Sequence, residues 1–181
     1  MNEKQINSAS KYLSLLLRHQ PEKIGLQLDE NGWASVEELL LKWDGPVSLD
    51  YTSLEHIVST NNKKRFSFDE SGQKIRASQG HSIGIDLQLE PQLPPDVLYH
   101  GTVEKYLASI RLQGLLKMER QHVHLSIDEC TATAVAQRRG KPVLLRIRSG
   151  DMQAAGYSFF LSANSVWLTE HIPVNYIQFP S

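Results

Sequence analysis

Arginine and histidine are the residue types in this sequence whose positions could support chemistry. Arg18 and His19 are adjacent, Arg65 ends a basic triplet, and Arg120 precedes His124 by four residues. A guanidinium group is always charged, and it can donate two parallel hydrogen bonds to a phosphate. The pattern therefore favours a protein that binds a phosphate group electrostatically.

Each of these positions also has a purely structural explanation. Arg18 and His19 end a predicted apolar helix, where the helix dipole favours cations. Arg65 opens a predicted hairpin, whose charged residues either face solvent or contact nucleic acid. His100 follows a predicted strand, and a histidine there is more often structural than catalytic. The residues alone leave these alternatives open.

Standard catalytic and metal-binding motifs are absent from the sequence. It contains no Gly-rich phosphate loop, no dinucleotide fingerprint and no nucleophile elbow. His122 and His124 are two residues apart, which is the spacing of two metal ligands on one face of a strand. No cysteine or further histidine motif accompanies them. We therefore expect no metal site.

The composition is that of a globular chain without excess charge. Its 181 residues include 19 Lys and Arg against 20 Asp and Glu. That balance excludes a uniformly basic coat protein but permits a local anion site. The single cysteine, Cys130, favours a reducing compartment, and neither a signal peptide nor a membrane span is predicted. We expect a cytoplasmic protein that does not contact membranes.

The N-terminal half is predicted to form three helices followed by a hairpin. The helices cover residues 6–19, 35–43 and 50–60, with a capping-box pattern of Ser and Glu at the start of the second. The alternating segment 65–77 contains a turn at its centre and predicts the hairpin. This order is typical of a winged-helix fold.

The C-terminal half is predicted to mix short strands and helices, which indicates an α+β class. Three of the eight prolines fall in segment 83–96, which we interpret as a linker. We therefore predict two domains, 1–88 and 89–181. The helices are expected at 103–113 and from Ser126 to about Gly140, and the strands at 97–99, 123–125, 143–147, 157–161, 166–169 and 176–179.

Six segments, in order along the chain, resemble the RNA 2′-phosphotransferases. This NAD-dependent family removes an internal 2′-phosphate from RNA, including spliced tRNA. The segments are LRHQP (17–21), KKRF (63–66), IRASQGHS (75–82), LYHGT (98–102), MERQHVHLS (118–126) and NSVWLT (164–169). The resemblance extends from about residue 8 to the C terminus.

The resemblance implies an N-terminal winged-helix, RNA-binding lobe (1–88) joined to a C-terminal ADP-ribosyltransferase-like, NAD-binding lobe (89–181). It also implies a reaction without a metal, in which NAD is a co-substrate and the active site lies between the lobes. The 2′-phosphate first displaces nicotinamide from NAD. The ribose 2″-hydroxyl then attacks the phosphorus and releases RNA with a 2′-hydroxyl and ADP-ribose 1″,2″-cyclic phosphate.

The resemblance also assigns roles to individual residues. The essential Arg-His-Arg-Arg set falls on four residues, Arg18, His19, Arg65 and Arg120. The residues implied in NAD contact are His100, Gly101, Thr102, His124 and Ser126. The residues implied in substrate contact are Lys64, Gln79, His81, Ser82 and Arg76, the last with no defined role.

These residue types suit the implied chemistry. A phosphate monoester is mostly a dianion at neutral pH and is already a nucleophile, so the first step requires positioning more than a base. Charge develops on phosphoryl oxygens in the second step, and arginines stabilise it. His19 either orients ribose hydroxyls or assists proton transfer, and the sequence does not choose between these roles.

Two other functions fit part of the pattern. One is an ADP-ribosyltransferase that leaves ADP-ribose on terminal RNA or DNA phosphates. The other is a winged-helix nucleic-acid-binding protein without catalysis. For the favoured function we expect the partners to be RNA with an internal 2′-phosphate and NAD, and the protein to act as a monomer.

Overall fold

The computed structural model describes residues 1–180 and divides into two compact units. Unit 1 is Met1–Gln88, and unit 2 begins at Leu89. Both units combine helices with small antiparallel sheets, which agrees with the predicted α+β class. No helix in the described part of the chain is long and apolar enough to cross a membrane.

Unit 1 contains the three helices and the hairpin that the sequence predicts. A further short strand, β1, joins the hairpin strands in a three-stranded sheet of order β1-β3-β2. The apolar side of the first helix packs with the other elements into one core. The elements are α1 (Glu3–Arg18), β1 (Ala34–Ser35), α2 (Val36–Lys42), α3 (Tyr51–Ser59), β2 (Phe66–Phe68) and β3 (Lys74–Ala77).

Polar caps set the ends of these helices. Asn2 and Gln5 form a reciprocal capping box, so α1 begins three residues before the predicted start. Ser35 caps α2 by accepting a hydrogen bond from the Glu38 N–H at 3.3 Å. The Glu38 carboxylate does not complete the predicted box, because it accepts from Lys42 at 2.6 Å instead. Its pKa is lowered by that hydrogen bond.

The described residues of unit 2 form three small sheets and three α-helices. Its sheets have the strand orders β11-β7-β4, β6-β9-β8 and β10-β5. The strand β4 pairs along its whole length with β7. The elements are β4 (Leu98–Val103), α4 (Leu107–Gln113), β5 (Leu115–Leu116), β6 (Val123–Leu125), α5 (Glu129–Ala136), β7 (Pro142–Ile147), α6 (Ser149–Ala154), β8 (Phe160–Leu161), β9 (Trp167–Thr169), β10 (His171–Ile172) and β11 (Ile177–Gln178).

Two local predictions for unit 2 are wrong. The predicted strand 97–99 continues to Val103, so His100 and Gly101 lie within β4 rather than at a strand-to-helix junction. The helix α5 is capped by Asp128, which accepts from the Thr131 N–H at 2.7 Å, and not by Ser126. Ser126 instead exchanges two backbone hydrogen bonds with Tyr99, at 2.8 and 2.9 Å.

Candidate functional site

Three of the four predicted catalytic residues line one cavity in unit 1. The cavity has a volume of about 370 Å³, and Arg18, His19 and Arg65 form part of its wall. Lys11 adds a further cation, and the other lining residues are Asn7, Ser10, Ser14 and Leu15. No carboxylate among residues 1–180 lines the cavity, so its charge suits an anion.

Arg18 and His19 reach this cavity because α1 ends there. Arg18 is the last residue of the helix, and the His19 N–H caps it by donating to the Leu15 carbonyl oxygen at 3.0 Å. Pro21 begins a short 3-10 helix and cannot continue α1. Arg18 therefore lies at the negative end of the helix dipole, which stabilises its charge before any ligand binds.

Lys11 is a cavity residue that was not predicted from the sequence, although its spacing contained a signal. Positions 7, 11, 14 and 18 are separated by four, three and four residues, so they share one face of a helix. The helix was predicted from its apolar residues alone. Lys11 and its polar neighbours lie on the other face of α1 and extend the cavity wall beyond Arg18.

Arg65 precedes β2 and is half-buried. Its Nη1 donates to the Asn61 side-chain oxygen at 3.3 Å, and burial lowers the pKa of the guanidinium. The Arg65 carbonyl oxygen accepts from the Ser78 N–H at 2.9 Å, which ties it to the segment after the hairpin. The preceding residue, Lys64, is exposed and has a φ of 42°.

The loop after β3 holds the end of α1. The Ser82 hydroxyl and His19 Nδ1 are 2.9 Å apart, and the Ser82 N–H donates to the Arg18 carbonyl oxygen at 3.0 Å. These two bonds fix the backbone of Arg18 and the ring of His19. Ser82 therefore acts on the site through its neighbours, while its predicted substrate contact, like that of Gln79, stays a prediction.

His81 is an interior residue of unit 1. Its side chain is 1% exposed, and neither ring nitrogen has a hydrogen-bond partner among the described residues. Burial, together with the charges of Arg18, His19 and Arg76, lowers its pKa to about 4. The imidazole is therefore neutral near pH 7, and its predicted substrate contact stays a prediction.

Acid should destabilise the protein through His81. The imidazole takes up a proton near pH 6.5 in the unfolded chain but only near 4 in the folded one. Stability is unaffected above pH 6.5 and falls by about 1.4 kcal/mol per pH unit between these values. From pH 7.5 to 5.0, wild type should lose about 2 kcal/mol more unfolding free energy than His81→Asn, measured by urea denaturation.

The matched control for this measurement is His56→Asn. His56 is exposed on α3, so its removal should leave the acid sensitivity of wild type in place. Equal losses of stability in wild type and His81→Asn would show that the buried imidazole does not cause the effect.

Arg76 is absent from the cavity lining and is held by structural contacts. Its guanidinium lies 4.4 Å from the centre of the Trp33 ring, and its Nη1 is 3.5 Å from the Asn31 carbonyl oxygen. The charge of Asp29 raises its pKa, although burial lowers it more. These contacts give Arg76 a role in fixing the hairpin against the Trp33 segment.

In unit 2, His100, His124 and Arg120 form a connected cluster. His100 Nδ1 donates to the His124 carbonyl oxygen at 3.0 Å, because a carbonyl can only accept. Arg120 Nη1 donates to His124 Nδ1 at 3.3 Å, because a guanidinium can only donate. The first hydrogen bond places a proton on His100 Nδ1, and the second requires that His124 Nδ1 carries none.

The charge state of this cluster follows from burial. Desolvation lowers the pKa of His100, and the charges of Arg139 and Arg120 lower it further. The pKa of Arg120 is lowered by desolvation and then by Arg139. The His100 imidazole is therefore neutral near pH 7, beside the charged Arg120 guanidinium. The ring centre of His122 lies 5.6 Å from that of Phe160.

Gly101 and Thr102 have structural roles in β4. A Cβ on Gly101 would overlap the backbone carbonyl oxygen of Ala132, so α5 can pack on the strand only where the side chain is missing. Thr102 is 7% exposed. The predicted NAD contacts of His100, Gly101, Thr102, His124 and Ser126 stay predictions.

Comparison with known proteins links the whole chain to one family. Residues 4–171 match the family model described as RNA 2′-phosphotransferase, Tpt1/KptA family. A probable RNA 2′-phosphotransferase of Flavobacterium johnsoniae is 54% identical over 182 residues, which cover 100% of both chains. One from Acaryochloris marina is 50% identical, covering 96% of this chain and 97% of its own. One from Streptomyces coelicolor is 48% identical, covering 100% and 99%.

Proposed function

Because the chain belongs to the RNA 2′-phosphotransferase (Tpt1/KptA) family, we propose that it removes an internal RNA 2′-phosphate by transferring it to NAD. The observation that carries this proposal is the cavity of unit 1, which is lined by Lys11, Arg18, His19 and Arg65 and by no carboxylate of the described part of the chain. A phosphate dianion is the ligand that such a cavity favours.

The first step joins RNA to ADP-ribose. An oxygen of the 2′-phosphate attacks the anomeric carbon of the nicotinamide ribose, and the carbon–nitrogen bond breaks as nicotinamide leaves with the electron pair. The positive pyridinium ring becomes neutral, so the departure needs no acid. Arg18 and Arg65 hold the phosphate in position for this displacement, in which proximity supplies most of the acceleration.

The second step releases the RNA. The ribose 2″-hydroxyl attacks phosphorus, the bond from phosphorus to the RNA 2′-oxygen breaks, and the hydroxyl proton ends on that oxygen. Negative charge grows on the phosphoryl oxygens, where each charged hydrogen bond contributes roughly 1.5–3 kcal/mol. Arg120 is the remaining arginine of the essential set that the resemblance implies.

In this proposal, His19 and His100 position the reacting substrates. The hydrogen bond between His19 and Ser82 fixes the imidazole, which then orients a ribose hydroxyl or passes its proton. His100, neutral and held by the His124 carbonyl oxygen, contacts NAD without repelling its pyridinium charge. Unit 1 would be the winged-helix, RNA-binding lobe and unit 2 the ADP-ribosyltransferase-like lobe.

Product analysis tests the proposed function. The protein is incubated with NAD and an oligonucleotide carrying one internal 2′-phosphate, and the products are identified by mass spectrometry. We expect nicotinamide, ADP-ribose 1″,2″-cyclic phosphate and the oligonucleotide with a 2′-hydroxyl in equal amounts. ADP-ribose retained on a terminal phosphate would indicate a capping transferase, and no nicotinamide at all would indicate a binding protein.

A further inference from the structure

Asn61 links the two elements that carry the unit 1 cations. It lies between α3 and β2, in the turn that leads to Arg65. Its side-chain oxygen accepts from Arg65 Nη1 at 3.3 Å and from the Lys63 N–H at 3.1 Å. Its side-chain nitrogen donates to the Ser10 hydroxyl of α1 at 3.3 Å, and Ser10 lines the cavity.

The orientation of the Asn61 amide is determined by its partners. A backbone N–H and a guanidinium can only donate, and both meet the same side-chain atom. That atom must be the oxygen, so the amide nitrogen points to Ser10. The side chain therefore has one arrangement that satisfies all three contacts, and it fixes Arg65 relative to α1.

The electrostatic consequence is that Arg65 is held by a neutral group. A half-buried guanidinium is usually paired with a carboxylate, because burial of an unpaired charge is unfavourable. Among residues 1–180, no carboxylate forms an ion pair with Arg65. Its hydrogen bond to an amide orients the guanidinium without cancelling its charge, and none of the described residues that line the cavity is acidic.

We propose that Asn61 is a positioning residue whose neutrality keeps the charge of Arg65 available to the RNA 2′-phosphate. The inference rests on the proposed function, in which Arg65 binds that phosphate. An aspartate at this position would accept the same two hydrogen bonds. It would also compensate the guanidinium charge and so compete with the substrate.

The test compares Asn61→Asp with Asn61→Ala and with Asn62→Asp as a matched control. Asn62 is exposed, so its substitution adds the same charge beside the site without reaching Arg65. Without NAD, each variant is titrated with an oligonucleotide carrying an internal 2′-phosphate and with the same oligonucleotide carrying a 2′-hydroxyl. The ratio of the two affinities isolates the contribution of the 2′-phosphate.

The proposal predicts an order of effects among the three variants that a purely structural role of Asn61 would not produce. Asn61→Asp should lower the affinity ratio by about tenfold or more, because one charged hydrogen bond is lost to an internal carboxylate. Asn61→Ala should lower it by a smaller factor, since Arg65 is then mobile but still uncompensated. Asn62→Asp should stay within about twofold. The thermal midpoint of Asn61→Asp should be at or above that of Asn61→Ala.

Three results would overturn the inference, and they are distinguishable. A wild-type ratio for Asn61→Asp would show that neutrality is irrelevant. Equal reductions in Asn61→Asp and Asn62→Asp would assign the effect to long-range charge. If wild type bound both oligonucleotides equally, the protein would have no binding site for the 2′-phosphate, and the proposed function would be wrong as well.

Discussion

Replacing Arg65 with alanine should lower the rate of 2′-phosphate removal by about 10²-fold or more, with the protein still folded. The guanidinium is proposed to contact the phosphoryl oxygens in both steps, so its loss leaves growing charge unstabilised. The folded state loses little, because the side chain is half-buried and its hydrogen bond is to the neutral Asn61. The measurements are single-turnover rates with saturating NAD and a urea denaturation curve.

The control for this experiment is Arg148→Ala. Arg148 is a half-buried arginine of unit 2 whose side chain is 42% exposed. It pairs with Asp151 at 2.7 Å, and solvent-accessible pairs of this kind contribute little. Its removal should change the rate by less than about twofold. Wild-type turnover in Arg65→Ala would exclude Arg65 from the phosphate site, whereas an unfolded Arg65→Ala protein would move its role from binding to structure.

The positions of the cations in unit 1 could be predicted from the sequence where they follow from local structure. Pro21 cannot continue a helix, so Arg18 and His19 had to lie at the end of α1. The alternation in 65–77 predicts a hairpin, and Arg65 then had to lie at its start. Both positions depend on the backbone conformation of a few consecutive residues. Such local structure can be predicted from a single sequence.

The contacts that organise these cations depend on residues far apart in the chain. Asn61 reaches Ser10, 51 positions away, and His19 reaches Ser82, 63 positions away. No periodicity within one element reports such a contact. The same reason applies to His81, whose pKa is lowered by burial and by the charges of Arg18, His19 and Arg76, although its own segment resembles an ordinary turn.

Two short strands in unit 2, β5 and β10, also escaped local reasoning. They pair two residues with two residues from a distant part of the chain. Strands this short have no period of their own, and pairing with a partner defines them. Gly101 illustrates the same limit. The LYHGT segment can be recognised in the sequence, but the close contact with the α5 backbone that requires a glycine cannot.

Replacing Gly101 with alanine should therefore destabilise unit 2 by about 3 kcal/mol or more. The new Cβ would overlap the Ala132 carbonyl oxygen and lie 3.1 Å from the Ala136 Cβ, so the backbone of α5 has to move away from β4. Backbone cannot yield as the end of a flexible side chain can. The measurement is hydrogen exchange of the β4 and β7 amides, read against global unfolding in urea.

Gly84→Ala is the matched control, since a Cβ there meets no atom within 4 Å. It should change the unfolding free energy by less than about 0.5 kcal/mol. If Gly101 were required only for close approach to NAD, Gly101→Ala would instead fold with wild-type protection and lose NAD affinity alone. Loss of protection throughout β4 and β7, with unit 1 amides still protected, would show that the glycine serves the packing of α5 before it serves any ligand.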